Sequence, residues 1–318
     1  MAYGHGKVIL FGEHSVVHGR PALALAVERG AEVHAVRKAE GPTELSIAPW
    51  DVQVDAGGEP NQGRELLQSA LKVAREFYED DLELSLTATM NLPGGAGMGS
   101  SAALGVAVLR AMDAARGISR SDQEIFERSL PWERVFHGNA SGIDNAMATY
   151  GGMAVFKKGE SLTRIVPRHR VRLIAGHSGS QRIAKPMIES VARQFQKEPE
   201  RVGKLFDAIA SIVSNGKLAL EQGDLKGLGQ LMTMNHMLLS SLMLSTSELE
   251  EMIAAAMQAG ALGAKLTGAG GGGCMIALID NDEQHAAVKA ALTGLGRTVY
   301  DVEAGPPRDE TKQESGST

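Results

Sequence analysis

Leu82-Glu83-Leu84-Ser85-Leu86-Thr87-Ala88-Thr89-Met90-Asn91-Leu92-Pro93-Gly94-Gly95-Ala96-Gly97-Met98-Gly99-Ser100-Ser101 is the stretch on which the fold turns. Its opening residues, to Met90, alternate apolar with polar or small side chains, the period of a strand with one buried face. From Ser100 an Ala/Leu/Val-rich run continues to about Arg116 and reads as a helix. A strand, a glycine loop and a helix N-terminus in succession form an anion cradle. The glycines let backbone N–H groups turn toward one point, and the helix end adds about half a positive charge. Ser100 and Ser101 offer hydroxyls to a phosphate or a metal. No lysine precedes the serines, so this is not a P-loop. Taken alone, the pattern also fits a tight glycine turn with a capping serine.

Around this unit, strands are expected at Lys7–Phe11, 31–38 and 43–48, then a helix over about 64–78. Ser121 with Glu124 three residues on is a capping box that opens a second helix, and Pro131 is placed to restart it. Glu133 and His137 then stand four apart on one face. Residues 138–152 read as a loop or short helix and Met153–Lys157 as a strand. Charge rises and periodicity lapses over 158–170, which suggests a boundary between a domain of residues 1–165 and one of 166–303. The second half has a strand at 171–175, a helical stretch over about 185–258, and strands at 274–279 and 298–302 around a helix at 283–292. The uncharged run 227–247 places Leu231, Met234, Leu238 and Leu242 at helical spacing, a buried helix and not a membrane span. Residues 304–318 are charged, carry two prolines and are expected to be disordered. Strands alternating with helices in both halves predict an α+β protein of two domains with a cleft between them.

The composition narrows the function. At 318 residues the chain can bury a large core without metal or disulfide staples. The net charge of 32 − 38 = −6 argues against a nucleic-acid surface. The single cysteine, Cys274, allows no internal disulfide or cysteine zinc site and fits a reducing cytoplasm. No secretory h-region follows the N-terminus, because only five apolar or small residues separate Lys7 from Glu13.

A second glycine loop, Gly268-Ala269-Gly270-Gly271-Gly272-Gly273, lies between two strands. It reads either as close approach of backbone to a ligand or as a long flexible hairpin. Lys7, Glu133 and Asp144 are, one by one, unremarkable charges whose meaning depends on being assembled with the loops. His14 and His18 do not read as a zinc pair, since Gly12, Val16-Val17, Gly19 and Pro21 oppose the helix such a pair needs.

Three segments together resemble the GHMP kinases. Lys7 to Ala22, with Glu13-His14-Ser15-Val16-Val17-His18-Gly19, is similar to their first motif. Pro93 to Ala103 is similar to their phosphate loop, and Lys265 to Cys274 to their third motif. The order is the family's and spans nearly the whole chain. The stretches Ser141-Gly142-Ile143-Asp144-Asn145-Ala146 and Thr149-Tyr150-Gly151-Gly152 place the likeness nearest the members that act on mevalonate. Departures stand at Ala140, at Met243-Leu244 (often glycine-valine) and at Ile183-Ala184-Lys185.

The resemblance implies a two-domain GHMP kinase fold, with a ribosomal-protein-S5-like N-terminal domain, a ferredoxin-like C-terminal domain and the active site between them. It implies ATP held over Pro93, Gly94, Gly95, Ala96, Gly97, Met98, Gly99, Ser100 and Ser101, and Mg²⁺ held by Ser100 and Glu133. Asp144 would meet the acceptor hydroxyl, with Lys7 bridging it to the γ-phosphate. Glu13, His14, Thr267 and Gly268 would shape the acceptor's surroundings. The expected reaction is ATP-dependent phosphorylation of mevalonate to 5-phosphomevalonate, a step toward isoprenoid precursors, in a cytoplasmic enzyme of a family whose members are often homodimers. Phosphomevalonate or a sugar is the alternative acceptor. A non-catalytic binding protein is the remote alternative, opposed by the presence of Lys7, Ser100, Glu133 and Asp144 together. An aspartate is a weak base for an alcohol, so orientation and late acceptance of the proton are the role expected of Asp144.

Overall fold

A computed structural model of the chain describes residues 2–58, 63–92, 97–138, 141–179 and 184–305. The first sheet contains β1 (Ala2–Phe11), β2 (Ala22–Arg37), β3 (Glu44–Ile47), β4 (Val52–Asp55), β5 (Leu84–Met90), β6 (Met153–Phe156) and β7 (Thr163–Ile165). β2 is its spine. β1 runs antiparallel along one edge of β2, while β6 and then β5 share the other. β3 lies parallel to β5 and turns back as β4. The helices of this half are α1 (Glu65–Arg75), α2 (Ser100–Arg116), α3 (Asp122–His137) and α4 (Ile143–Tyr150).

The second sheet is antiparallel throughout, in the order β11-β8-β10-β9, with β8 (Val171–His177), β9 (Gly263–Leu266), β10 (Cys274–Ile279) and β11 (Thr298–Ala304). Between β8 and β9 come α5 (Ala184–Lys197), α6 (Pro199–Gln222), α7 (Leu225–Ser241) and α8 (Ser247–Gln258). α9 (Asp282–Gly294) joins β10 to β11. The resulting β-α-β-β-α-β succession is the ferredoxin-like pattern, and the α+β class read from the sequence is the one found.

Alternation explains the core. Along β10, Cys274, Ile276 and Leu278 join a core shared with Leu10, Leu23 and Leu25 of the first sheet. Met275, Ala277 and Ile279 face a separate core beneath α8 and α9. With both faces covered, the strand is continuously apolar. β2 uses the same period: Leu23, Leu25 and Val27 enter the shared core, and Ala22, Ala24 and Ala26 lie under Ile143, Ala146 and Met147 of α4. The first half of β2 was not expected as strand. Its Ala/Leu run suits a helix by propensity, and burial on both faces overrides that preference.

Other expectations need correction. α3 does not restart at Pro131. It is one helix from the Ser121/Glu124 capping box to His137. A mid-helix proline costs about 3 kcal/mol, and the burial of Trp132 beside it, with Nε1 donating to Ser101 O at 3.0 Å, holds the helix across the defect. Within α7, Met234 is 53% exposed, and the buried face is Leu228, Met232, Asn235, His236 and Leu239. The stretch 158–170 contains β7, paired to β6. Ala304 closes β11, and the expectation of disorder beyond residue 305 falls outside the described residues. Met243, where relatives often carry glycine, has φ 59°, a conformation that favours glycine.

α7 lies directly against β9 because glycines meet there. A Cβ on Gly263 would sit 2.1 Å from Gly229 O. Gly263→Ala is therefore expected to destabilise the protein by at least about 1–3 kcal/mol, read as a lower urea midpoint. An unchanged midpoint would show that this backbone contact is not tight.

Candidate active site

Lys7 leaves the middle of β1 and is only 2% exposed. Its Nζ donates to Gly97 O at 3.1 Å and pairs with Asp144 Oδ1 at 3.1 Å, while its backbone N–H donates to Met98 O at 2.8 Å. One side chain thus ties the described end of the glycine loop to the first turn of α4, where Asp144 stands 26% exposed. Gly99 has φ 72°, and a Cβ there would reach within 3.0 Å of Lys7 Cγ. Both conformation and space therefore call for glycine at that step. α2 begins at the next residue with its N-terminus open toward the loop. Pro93, Gly94, Gly95 and Ala96 lie outside the described residues.

Glu133, 1% exposed on α3, accepts from Ser101 Oγ with both carboxylate oxygens at 3.0 Å, and His137 Nε2 lies 3.2 Å from its Oε1. The resemblance implies Mg²⁺ shared by Ser100 and Glu133, and the direct hydrogen bond to Glu133 comes from the neighbouring Ser101. The register follows from Trp132, which anchors the Ser101 carbonyl and so sets the rotation of α2.

The third motif reaches the site from β9. His14, at φ 60°, is buried, and its Nε2 lies 2.9 Å from Ala269 O. A histidine at positive φ is uncommon, and the contact with the second glycine loop holds it. Gly268, Gly270, Gly271, Gly272 and Gly273 all have positive φ, so the loop's own path explains its glycines. Thr267 is not among the residues that line the cavity, and its hydroxyl is taken by Ile9: Oγ1 donates to Ile9 O at 2.9 Å and accepts from Ile9 N at 3.2 Å. Its hydroxyl stitches the two sheets together.

One contact was not anticipated. Lys265 Nζ and Glu13 Oε1 form an ion pair in which both side chains are 0% exposed. Burial pushes the Glu13 carboxyl up, with Lys265, its own amide and Lys7 pulling the other way. Burial likewise pushes the Lys265 ammonium down, against the pull of Glu13. The available signal was a charged residue inside the apolar strand Gly263-Ala264-Lys265-Leu266.

A cavity between the sheets collects these groups. Lys7, Glu13, His14, Glu133, Asp144 and Gly268 line it, beside apolar walls from Ile9, Val16, Val17, Ile143 and Ile188. His18 stacks on Phe206 with centroids 4.8 Å apart and takes no part. Among the described residues no three acidic, histidine or cysteine side chains cluster as a ready metal site. Cys274 is buried in β10. No described helix is long and apolar enough to cross a membrane.

A buried lysine paired with a partly exposed aspartate at a glycine loop, a carboxylate–hydroxyl pair at a helix N-terminus and a small apolar-walled cavity make a site suited to phosphoryl transfer to a small molecule. The sequence agrees. The model of the GHMP kinases N terminal domain matches residues 65–152, and that of the GHMP kinases C terminal domain matches residues 217–297. The mevalonate kinase of Pyrococcus horikoshii is 33% identical over 314 residues, 92% of each chain. That of Methanothermobacter thermautotrophicus is 34% identical over 271 residues, covering 85% of this chain and 87% of the relative. The crystal structure of L. major mevalonate kinase in complex with R-mevalonate superposes with a TM-score of 0.85 at 30% identity, over 96% of this chain and 95% of that one. Streptococcus pneumoniae phosphomevalonate kinase has the same fold, with a TM-score of 0.80 at 19% identity over 95% and 98%. The chain belongs to the GHMP kinases, in the mevalonate kinase family.

Proposed function

We propose that this protein transfers the γ-phosphoryl group of ATP to the primary hydroxyl of mevalonate, giving 5-phosphomevalonate, in the cytoplasm. The observation that carries the reading is the Lys7–Asp144 pair at 3.1 Å, placed between the glycine loop and the small cavity. The α2 N-terminus and the loop amides would bind the phosphates. Lys7 would face the γ-phosphate while orienting Asp144. Asp144 would accept a hydrogen bond from the acceptor hydroxyl, aim its oxygen at phosphorus, and take the proton late in the transfer. Such a loose transition state needs alignment and charge neutralisation more than a strong base. Val16, Val17, Ile143 and Ile188 would exclude water from the acceptor's carbon chain. Glu13 and His14 would face its polar groups.

The residues present fit a magnesium ion. Glu133 and the paired serine hydroxyl are hard oxygen donors, and Mg²⁺ is commonly held by one or two carboxylates together with substrate phosphates and water. Bound there, Mg²⁺ would neutralise charge on the outer phosphates. Glu133, with Ser101 and its helical neighbour Ser100, would hold it. Glu133→Gln is expected to raise the Mg²⁺ concentration needed for half-maximal activity, and an unchanged Mg²⁺ titration would remove Glu133 from that role.

The test is ADP release with ATP and Mg²⁺ in the presence of mevalonate, phosphomevalonate, galactose or homoserine. Turnover on mevalonate alone is the expected result. Turnover on another acceptor instead would keep the kinase and overturn the substrate. ATP binding without turnover on any of them would favour a binding protein.

A further inference from the structure

Glu13 and Lys265 are 252 residues apart in sequence, yet they meet inside the protein with neither exposed. Such a pair is a poor device for stability alone, because desolvating both charges offsets most of their attraction. Its geometry is also incomplete. Lys265 Nζ binds Glu13 Oε1 and the Leu266 carbonyl at 2.7 Å, but Glu13 Oε2 is buried with no hydrogen-bond partner among the described residues. An orphaned carboxylate oxygen is costly in a folded protein. Glu13 lines the same cavity as Asp144. The atom left over is an acceptor at the wall of the site where the small molecule is expected.

We propose that Lys265 is a positioning residue for the acceptor: it keeps Glu13 a carboxylate and leaves Oε2 for a hydroxyl of the substrate. The inference rests on the acceptor site described under the proposed function and adds to it a residue that does not line the cavity. It assigns the two sides of the site to the two sheets. β1 and the glycine loop handle phosphate through Lys7, and β9 governs the acceptor through Glu13.

The surroundings leave this task to Lys265. Among the described residues, Lys7 is the other cation near Glu13, and it is engaged by Asp144 and Gly97 O. His14 is turned to Ala269 O. Behind Lys265, His236 from α7 lies 3.1 Å from Glu250 Oε1, and burial holds its imidazole below the usual range. Without the lysine, burial is less opposed and pushes the Glu13 carboxyl further up, toward the neutral acid, a hydrogen-bond donor where an acceptor is required.

In Lys265→Met, the KM for mevalonate is expected to rise roughly 10- to 100-fold, the range for a lost hydrogen bond to a charged group, with the KM for ATP unchanged. Because Glu13 regains its charge only as pH rises, the shape of the pH profile of kcat/KM for mevalonate should change in this variant, its rise lying at higher pH than in the wild type. A merely structural role would lower stability and leave the pH profile's shape alone, and that result would overturn the proposal. Breaking a buried pair also endangers folding, so the Glu13→Gln/Lys265→Met double variant, with neither charge, is the second arm. If Lys265 acts through Glu13, the double variant matches Glu13→Gln alone in kcat/KM for mevalonate. A further tenfold loss would overturn the proposal. The wild-type control distinguishes the two readings. If the wild type does not turn over mevalonate, the proposed function falls, and infrared spectroscopy still tests the pair. A protonated-carboxyl band should be present in Lys265→Met and absent from the wild type and the double variant; its absence from Lys265→Met would overturn the assignment.

Discussion

An Asp144→Asn enzyme is expected to lose at least two to three decades of kcat on mevalonate, on the scale of general-base losses, while its KM for ATP stays near the wild-type value. Asparagine preserves the size of the side chain and its place in the first turn of α4, so the glycine loop and the cavity should survive. What changes is the atom that meets the acceptor hydroxyl. A carboxylate offers acceptor oxygens only, whereas an amide also presents two N–H donors and cannot take the proton as phosphoryl transfer completes. The partial exposure of Asp144 matters here, since it places the carboxylate at the cavity wall in the acceptor's reach. A kcat within a few-fold of wild type would remove Asp144 from the reaction and leave Lys7 with a purely phosphate-binding role.

Lys7→Met should lower kcat by roughly 10²–10³, the cost of removing one pre-aimed electrostatic contact to a transition state. The methionine keeps an unbranched apolar stem beside Gly99, so the β1 backbone and its bond to Met98 O should hold. Asp144 loses its partner but retains access to water, so the folded state should change little in stability. Lys7→Arg is not expected to restore the rate. The lysine reaches Asp144 and Gly97 O from a site 2% exposed, and a planar guanidinium needs room that a compact ammonium does not. Steady-state kinetics read the outcome. A raised KM for ATP with kcat unchanged would mean that Lys7 binds ground and transition states alike, and its place between γ-phosphate and Asp144 would have to be given up.

Much of the site was legible because its parts are local. The alternation of residues 82–90, the glycine loop after it and the helix from Ser100 are patterns a few residues long, and β5 and α2 lie where they were expected. The capping box at Ser121 formed for the same reason, since both of its partners sit within one turn. Elements whose identity depends on partners were read less well. The Ala/Leu half of β2 is a strand because α4 covers its alanines and the shared core takes its leucines. β7 is too short to carry a period and exists by pairing with β6. Pro131 marks a break by local rules, and the packing of Trp132 removes it.

The sequence by itself determined the kinase family, the α+β class and the two glycine loops, and it marked Lys7, Glu133 and Asp144 as candidates, because short-range periodicity and ordered motifs carry that information. The tertiary structure decided how those charges pair. Neighbouring residues on a helix point about 100° apart, so the direct hydrogen bond of Glu133 to Ser101 waited on the packing of α2 against α3. Thr267 belongs to the third motif, yet its hydroxyl is taken by Ile9 from the other sheet. Lys265 meets Glu13 only because two sheets built from opposite ends of the chain close on one cavity. Contacts across such sequence separations depend on how surfaces fit, and no local pattern encodes that fit.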